Sequence, residues 1–281
     1  MRNRSFFLLT ALGFGFAFLY LPILLLIIYS FNENRLVTVW SGFSTQWYGE
    51  LLRDDNILDA AWVSLRVAFF SATISTALGT IAGMVMARFG RFKGRTLFSG
   101  MLSAPLVMPE VITGLSLLLM FVALEGLIGV PQGRGVSTIT IAHATFTMAF
   151  VAVIIQSRLS QMDESIEEAA LDLGARPAKV FFAITLPIIS PALVAGWLLA
   201  FTMSLDDLVV ASFTSGPSST TLPMVVFSSV RLGVSPKINA LATLLVLVAA
   251  LTILIAAWVM RRQESQREKE AAAASAEQER F

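Results

Sequence analysis

Residues 163–187 read DESIEEAALDLGARPAKVFFAITLP, and this largely polar stretch interrupts a chain that is otherwise apolar. Of the 281 residues, 56% are hydrophobic and only 14% are charged, and the mean hydropathy is +0.76. A soluble domain of this length would carry far more charge on its surface. Because the apolar residues come in long blocks, the chain is predicted to be an all-α polytopic membrane protein.

Six segments are long enough to cross a membrane, since each reaches or exceeds the ~20 apolar residues that span a hydrocarbon core of ~30 Å. The first has too long an apolar run, and no small-residue cleavage site, for a signal peptide. The predicted spans are Phe7–Ser30, Trp62–Ala87, Leu97–Leu124, Val136–Gln156, Ile188–Phe213 and Ile238–Met260. They predict a membrane domain over residues 7–260, with residues 1–6 and 261–281 outside it.

Lysine and arginine are unevenly distributed between the two sides of these spans. With the N-terminus inside, 14 of them fall in the inner segments and six in the outer ones. Positive charge is enriched on the cytoplasmic side of membrane proteins. Both termini and residues 163–187 are therefore predicted to be cytoplasmic.

Composition and missing motifs exclude several functions. The net charge of +1 and the lack of a basic patch argue against nucleic acid, and the absence of cysteine excludes disulfides and thiolate metal sites. The chain has no GxxxxGK[ST] motif, so it is not predicted to hydrolyse ATP. No catalytic residue, metal site or cofactor is predicted. The single histidine, His143, lies in an apolar run, where it fits either helix packing or a proton relay.

The polar stretch has the signals of two short helices joined by a tight turn. Ser165 and Glu168 have capping-box spacing, which predicts a helix start near Ser165. Gly174 tolerates the left-handed conformation of a helix end, and Pro177 suits the first position of a second helix. Such a stiff pair would transmit motion from a partner protein, although an ordinary amphipathic connector would show some of the same signals.

The spacing from Glu168 to Pro187 resembles the EAA loop in permease subunits of bacterial ABC importers. The resemblance implies a type I ABC importer permease (MetI-like) fold with six transmembrane helices. It also implies a coupling loop over residues 163–187 that docks on a separate ATPase, which binds ATP and Mg. The residues that match the family motif, and that are predicted to carry the coupling, are Glu168, Ala169, Ala170, Gly174, Leu186 and Pro187.

A wider resemblance covers nearly the whole chain and is to the second permease subunit of polyamine importers, most of all the putrescine system. It implies a paralogous permease, two ATPase subunits, a periplasmic substrate-binding protein and an inner-membrane location. The matching strings include Phe31-Asn32, Leu36–Trp40, Trp47–Asp55, Ala104–Gly114, Ser204–Leu208 and Asn239–Thr243.

Three carboxylates lie within predicted spans, where ionisable groups are costly and usually functional. Glu110 follows Pro105 and Pro109, which can break a helix beside a pathway. Asp206 and Asp207 lie in the fifth span, so a cation entering from outside would meet one of them before Glu110. Neighbouring helix positions point about 100° apart, so one aspartate is expected to cap a broken helix or pair with a basic residue instead.

Three smaller patterns accompany these carboxylates. Trp197 and Phe201 lie one turn apart and suit either cation stacking or helix packing. Gly79 and Gly83 form a small-xxx-small pair that would allow close helix approach. The first outer loop has a Trp-Tyr cluster, which suits either an external partner or an interfacial anchor and consists of Trp40, Trp47 and Tyr48.

The sequence therefore predicts the permease subunit of an ATP-driven polyamine (putrescine) importer. One alternative is a permease for another substrate such as iron, sulfate or a sugar, since these importers share the loop. The other is an ion-coupled secondary transporter that uses Glu110 and Asp206 as an ion site, which would leave the spacing of the loop unexplained.

Overall fold

The computed structural model describes residues 2–36, 39–233, 235–251, 254 and 258. Over these residues it is helical, and β pairing is limited to an isolated bridge between Asn32 and Phe43. A π-helical turn, Phe181–Thr185, joins α8 to α9. The helices are α1 Arg2–Tyr29, α2 Gln46–Leu51, α3 Asp55–Arg88, α4 Arg95–Val107, α5 Glu110–Ile128, α6 Val136–Ser160, α7 Ser165–Asp172, α8 Pro177–Val180, α9 Leu186–Leu205, α10 Val209–Thr214, α11 Leu222–Leu232 and α12 Pro236–Leu251.

The chain divides into two compact units, Asp55–Ser228 and the two flanking segments, Met1–Asp54 with Ser229–Phe281. In the flanking unit, the loop after α1 is held together by polar contacts. The Trp47 indole Nε1 donates to the Asn32 carbonyl oxygen over 2.5 Å, and the Ser30 and Tyr48 hydroxyls lie 2.7 Å apart. Trp47 is only 4% exposed. Part of the Trp-Tyr cluster therefore holds this loop in place.

The core of the larger unit is a packed group of three helices, α3, α6 and α9. Their fully buried contacts are aliphatic and small, including Ala72, Val151, Ile155 and Ile189. Glycines bring the backbones together: a Cβ built on Gly83 would lie only 2.8 Å from the Ala152 carbonyl oxygen. The small-xxx-small pair thus lies at the contact between α3 and α6.

Five helices are long and apolar enough to cross a membrane, counted over the described residues. The sixth predicted span begins with α12, but its end at Met260 and residues 261–281 lie outside the described residues. The third predicted span is divided into α4 and α5, because Met108 is extended (ψ 137°) before Pro109. The predicted bounds of the fifth span were wrong: the continuous apolar helix runs from Pro177 to Leu205, and α10 is separate.

Candidate functional site

Helix α7 ends in a Schellman motif, which makes the turn at Gly174 rigid. Gly174 has a φ of +85° and donates its amide to the Leu171 carbonyl oxygen at 2.8 Å, and the Ala175 amide donates to the Ala170 carbonyl oxygen at 3.1 Å. This pairing satisfies carbonyl groups that the helix leaves free at its end. The predicted helix, turn and second helix are observed, with Pro177 at the first position of α8.

The predicted capping box at Ser165 is not formed. Helix α7 does begin at Ser165, but the Ser165 amide donates to the Asp163 carboxylate at 3.0 Å, and Glu164 occupies the N-cap position. This backbone hydrogen bond holds the pKa of Asp163 below its usual value. The sequence analysis assigned the Ser165 amide to the capping box, but the Asp163 side chain, two residues upstream, accepts its hydrogen bond instead.

The C-terminal end of α3 is tied to α7 by an arginine between two glutamates. The Arg88 Nη1 donates to Glu164 Oε1 over 2.9 Å, and its Nε lies 2.9 Å from Glu167 Oε2. Arg88 and Glu167 are largely shielded from solvent, with side chains 15% and 17% exposed, whereas Glu164 is 61% exposed. The ion pair between Arg88 and Glu167 is therefore less screened by solvent than the ion pair between Arg88 and Glu164.

Glu167 also connects α7 to the start of the fifth apolar helix. Its second carboxylate oxygen accepts a hydrogen bond from Thr185, the last residue of the π-helical turn and 3% exposed. A displacement of α7 would therefore be transmitted to both α3 and α9. The sequence analysis missed Arg88, Glu167 and Thr185, because their proximity depends on contacts between distant segments; the only local signal was the Glu-Glu pair before the alanines.

The residues predicted to meet an ATPase remain accessible on α7. Glu168, Ala169 and Gly174 are exposed, and Ala170 is partly exposed. Two apolar side chains flank them, Ile166 at 45% and Leu173 at 90% exposure. Leu186 and Pro187 lie in the first turn of α9, directly after Thr185. The loop thus presents a mixed polar and apolar face, and its opposite side is held by the Arg88 contacts.

The membrane carboxylates differ in their surroundings. Glu110 is the first residue of α5 and Asp206 follows the last residue of α9, and both are exposed. Asp207 is only 8% exposed. Each of the three lies at a helix break, where backbone groups are free to bind other partners.

Asp207 caps α10 and faces the histidine. Its carboxylate accepts the amides of Val210 at 3.3 Å and Ala211 at 2.7 Å, and its Oδ2 lies 3.1 Å from His143 Nε2. This is the alternative expected for one aspartate of the pair, a cap and a partner for a basic group. Asp206 is the member of the pair that faces outward from the protein.

His143 is fully buried in a polar seam between helices. Its Nδ1 lies 2.7 Å from the Ser204 hydroxyl, which also accepts a hydrogen bond from the Ser71 hydroxyl over 2.9 Å. Serine, histidine and aspartate here adjoin as in a hydrolytic triad, yet Ser204 is only 4% exposed. Of the two interpretations of His143, the contacts favour helix packing, because the seam links α3, α6 and the end of α9.

Trp197 and Phe201 stack on each other at a centroid distance of 5.2 Å. Trp197 also packs edge-on against Phe69 at 5.8 Å, and its indole Nε1 donates to the Thr73 hydroxyl over 3.2 Å. These contacts favour helix packing for the pair. Among the described residues, no group of three or more His, Asp or Glu is placed to hold a metal ion.

Comparison with known proteins identifies the class. Residues 79–269 match the family model described as "Binding-protein-dependent transport system inner membrane component". The chain belongs to this family, and it is therefore a membrane transport subunit rather than an enzyme, as predicted.

Two curated relatives are similar over most of the chain. The "Putrescine transport system permease protein PotI" of Escherichia coli K12 is 62% identical over 86% of both chains. The "Spermidine/putrescine transport system permease protein PotC" of the same strain is 42% identical over 85% of this chain and 88% of its own. The predicted relationship to polyamine permeases is confirmed.

Solved ABC transporters share the fold. One chain comes from a bacterial ABC transporter "involved in the import of the acidic polysaccharide alginate", with a TM-score of 0.68, 17% identity and coverage of 93% of this chain and 97% of that one. Another comes from the MetNI methionine ABC transporter, with a TM-score of 0.59, 16% identity and coverage of 76% and 95%. The predicted importer permease fold is confirmed; the count of six spans stays a prediction.

Proposed function

We propose that this chain is the permease subunit of an ATP-driven polyamine importer that takes putrescine, and that it forms half of the translocation pathway. The observation that carries this proposal is the 62% identity to a putrescine permease over 86% of both chains. The 42% identity to a spermidine/putrescine permease supports the wider substrate class. A permease for iron, sulfate or a sugar would leave this similarity unexplained.

The proposed assembly contains a paralogous permease, two ATPase subunits that bind ATP and Mg, and a periplasmic binding protein. Membership of a binding-protein-dependent family supports the last of these. The lack of a phosphate-binding GxxxxGK[ST] motif supports a separate ATPase. The charge bias supports an orientation in the inner membrane with both termini in the cytoplasm.

The coupling loop, residues 163–187, is proposed to dock on the ATPase through Glu168, Ala169, Ala170 and Gly174. Its exposed face and rigid Schellman turn support this role, because a rigid element transmits displacement better than a flexible one. Arg88 and Glu167 are proposed to pass the movement on. They tie α7 to α3 and, through Thr185, to the helix that begins at Leu186 and Pro187.

The proposed pathway for the cation runs past Asp206 and Glu110. Both carboxylates are exposed at helix breaks within predicted spans, where a charge needs a functional partner. Asp207 is proposed to act indirectly, by holding the start of α10 so that Asp206 keeps its position. In this scheme ATP binding draws the coupling loops together and opens the cavity outward, and hydrolysis resets it.

Uptake into proteoliposomes tests the proposal. The chain is co-expressed with its partner subunits, purified as a complex, and supplied with the binding protein, labelled putrescine and internal ATP. ATP-dependent uptake is expected, and Glu110→Gln and Asp206→Asn should lower it at unchanged assembly. Uptake that persists without an ATPase would support the secondary transporter instead, and ATP-driven uptake of other solutes but not polyamines would refute the substrate class.

A further inference from the structure

An open pocket of about 500 Å³ lies at the N-terminal end of α3. Asn56, Asp59 and Trp62 of α3 line one wall, and Ser218 and Thr220 line the other. This volume falls within the range of small-molecule sites, ~300–1,000 Å³. The pocket is far along α3 from the Arg88 network, and none of its residues belongs to the coupling loop or the membrane carboxylates.

The length of α3 places this pocket outside the hydrocarbon core. With 34 residues and a rise of ~1.5 Å each, α3 is about 51 Å long, whereas the core is ~30 Å thick. Because its Arg88 end meets the coupling loop at the inner side, its first turns extend beyond the outer face. Asp59 and Trp62 lie in those turns, where a carboxylate is tolerated and an indole ring is favoured.

The second wall of the pocket is preformed. The Leu222 amide donates to the Ser64 hydroxyl of α3 over 2.7 Å, which fixes the end of this wall against the helix. The Ser219 hydroxyl, 1% exposed, bridges the amide and carbonyl of Gly216 at 2.7 and 2.8 Å. Ser218 lies between Gly216 and Ser219 in the chain and has a φ of +58°, an uncommon value for a non-glycine residue. This backbone conformation holds Ser218 at the pocket.

We propose that this outer pocket is a first binding site for a linear alkylammonium ion on its way to the membrane carboxylates. This inference rests on the proposed polyamine import. A carboxylate and two hydroxyls suit the N–H donors of an ammonium group, and the indole face of Trp62 suits either the cation or its methylene chain. A lysine side chain of a docked protein has the same chemistry, so the test separates the two sources.

The complex is labelled with 5-fluorotryptophan in nanodiscs, and the ¹⁹F resonance of Trp62 is assigned with Trp62→Phe. Putrescine is titrated in the absence of the binding protein and of nucleotide. The Trp62 resonance is expected to shift saturably, and Asp59→Asn should weaken binding about tenfold, the effect of one charge-assisted hydrogen bond. Asp55→Asn removes the same charge one turn earlier, outside the pocket lining, and should leave the titration unchanged. The diol 1,4-butanediol should produce no shift.

The outcomes also separate this site from the transport function. If the wild-type complex imports putrescine but the Trp62 resonance does not respond, the outer pocket is refuted and the proposed function stands. If ligand-free binding protein shifts the resonance and putrescine does not, the pocket is part of a docking surface for that protein and the proposal is overturned. If Asp59→Asn raises the KM for putrescine uptake while kcat and the Asp55→Asn control stay unchanged, the proposal is supported.

Discussion

The contact between α3 and α6 depends on a glycine that has no room for a side chain. A Cβ on Gly83 would lie 2.8 Å from the Ala152 carbonyl oxygen and 3.1 Å from the Gln156 amide nitrogen. Both atoms are backbone of α6 and cannot rotate away. Restoring an ordinary contact of 3.4 Å at the oxygen would move the two helices apart by roughly 0.6 Å.

Gly83→Ala is therefore expected to lower the free energy of unfolding. Overpacking of a tight core costs about 1–3 kcal/mol, whereas alanine regains up to ~1 kcal/mol of helix propensity over glycine. The expected net loss is about 1–2 kcal/mol. The separation would also loosen neighbouring contacts of Ala152 and Ile155, both fully buried.

Unfolding of the purified chain in mixed micelles, followed by tryptophan fluorescence against the SDS fraction, measures this difference. Gly126→Ala in α5 is the matched control, because a Cβ there would meet no other described element within 4 Å. The control should be neutral or slightly stabilising. If Gly83→Ala proves as stable as Gly126→Ala, the close approach of α3 and α6 does not limit stability and the reasoning is wrong.

Four further substitutions test the coupling loop and the buried seam. Arg88→Ala and Glu167→Gln should each reduce putrescine uptake per ATP hydrolysed while ATP hydrolysis by the complex persists; equal losses of both activities would contradict a coupling role. Asp207→Ala leaves two buried backbone amides without their acceptor and removes the carboxylate beside His143, so a loss of about 3–5 kcal/mol in unfolding free energy is expected, against under ~0.5 kcal/mol for exposed Asp206→Ala. Gly174→Asp should uncouple uptake from ATP hydrolysis while the protein still inserts, because aspartate adopts a φ of +85° at a cost of about 1 kcal/mol and adds a charge to the docking face. Asparagine at the same position, neutral and better tolerated there, should retain more uptake.

The sequence was most informative where one residue acts on its own backbone. Gly174 ends α7 because of its positive φ, Pro177 begins α8, and Pro109 separates α4 from α5. These effects are covalent or steric and reach only a few residues. Runs of apolar residues likewise predicted the membrane helices, because the thickness of the bilayer sets their length.

Local signals failed where two neighbours compete for the same role. Ser165 has the spacing of a capping box, yet Asp163 takes its amide. Asp206 and Asp207 are chemically identical in the sequence, but α10 turns one into a buried cap and leaves the other exposed. Such choices depend on backbone directions that residue identity does not specify.

Only the tertiary structure decided which distant side chains meet. Arg88 and Glu167 are 79 positions apart in the chain, and His143 and Asp207 are 64 apart. Their pairing follows from the crossing of α3, α6 and α9, which in turn depends on how closely glycines such as Gly83 let the backbones approach. The sequence alone thus predicted a membrane importer subunit with a cytoplasmic coupling loop. The links from that loop to the membrane helices depend on packing, because an ion pair needs its partners within a few ångströms in space, however far apart they are in sequence.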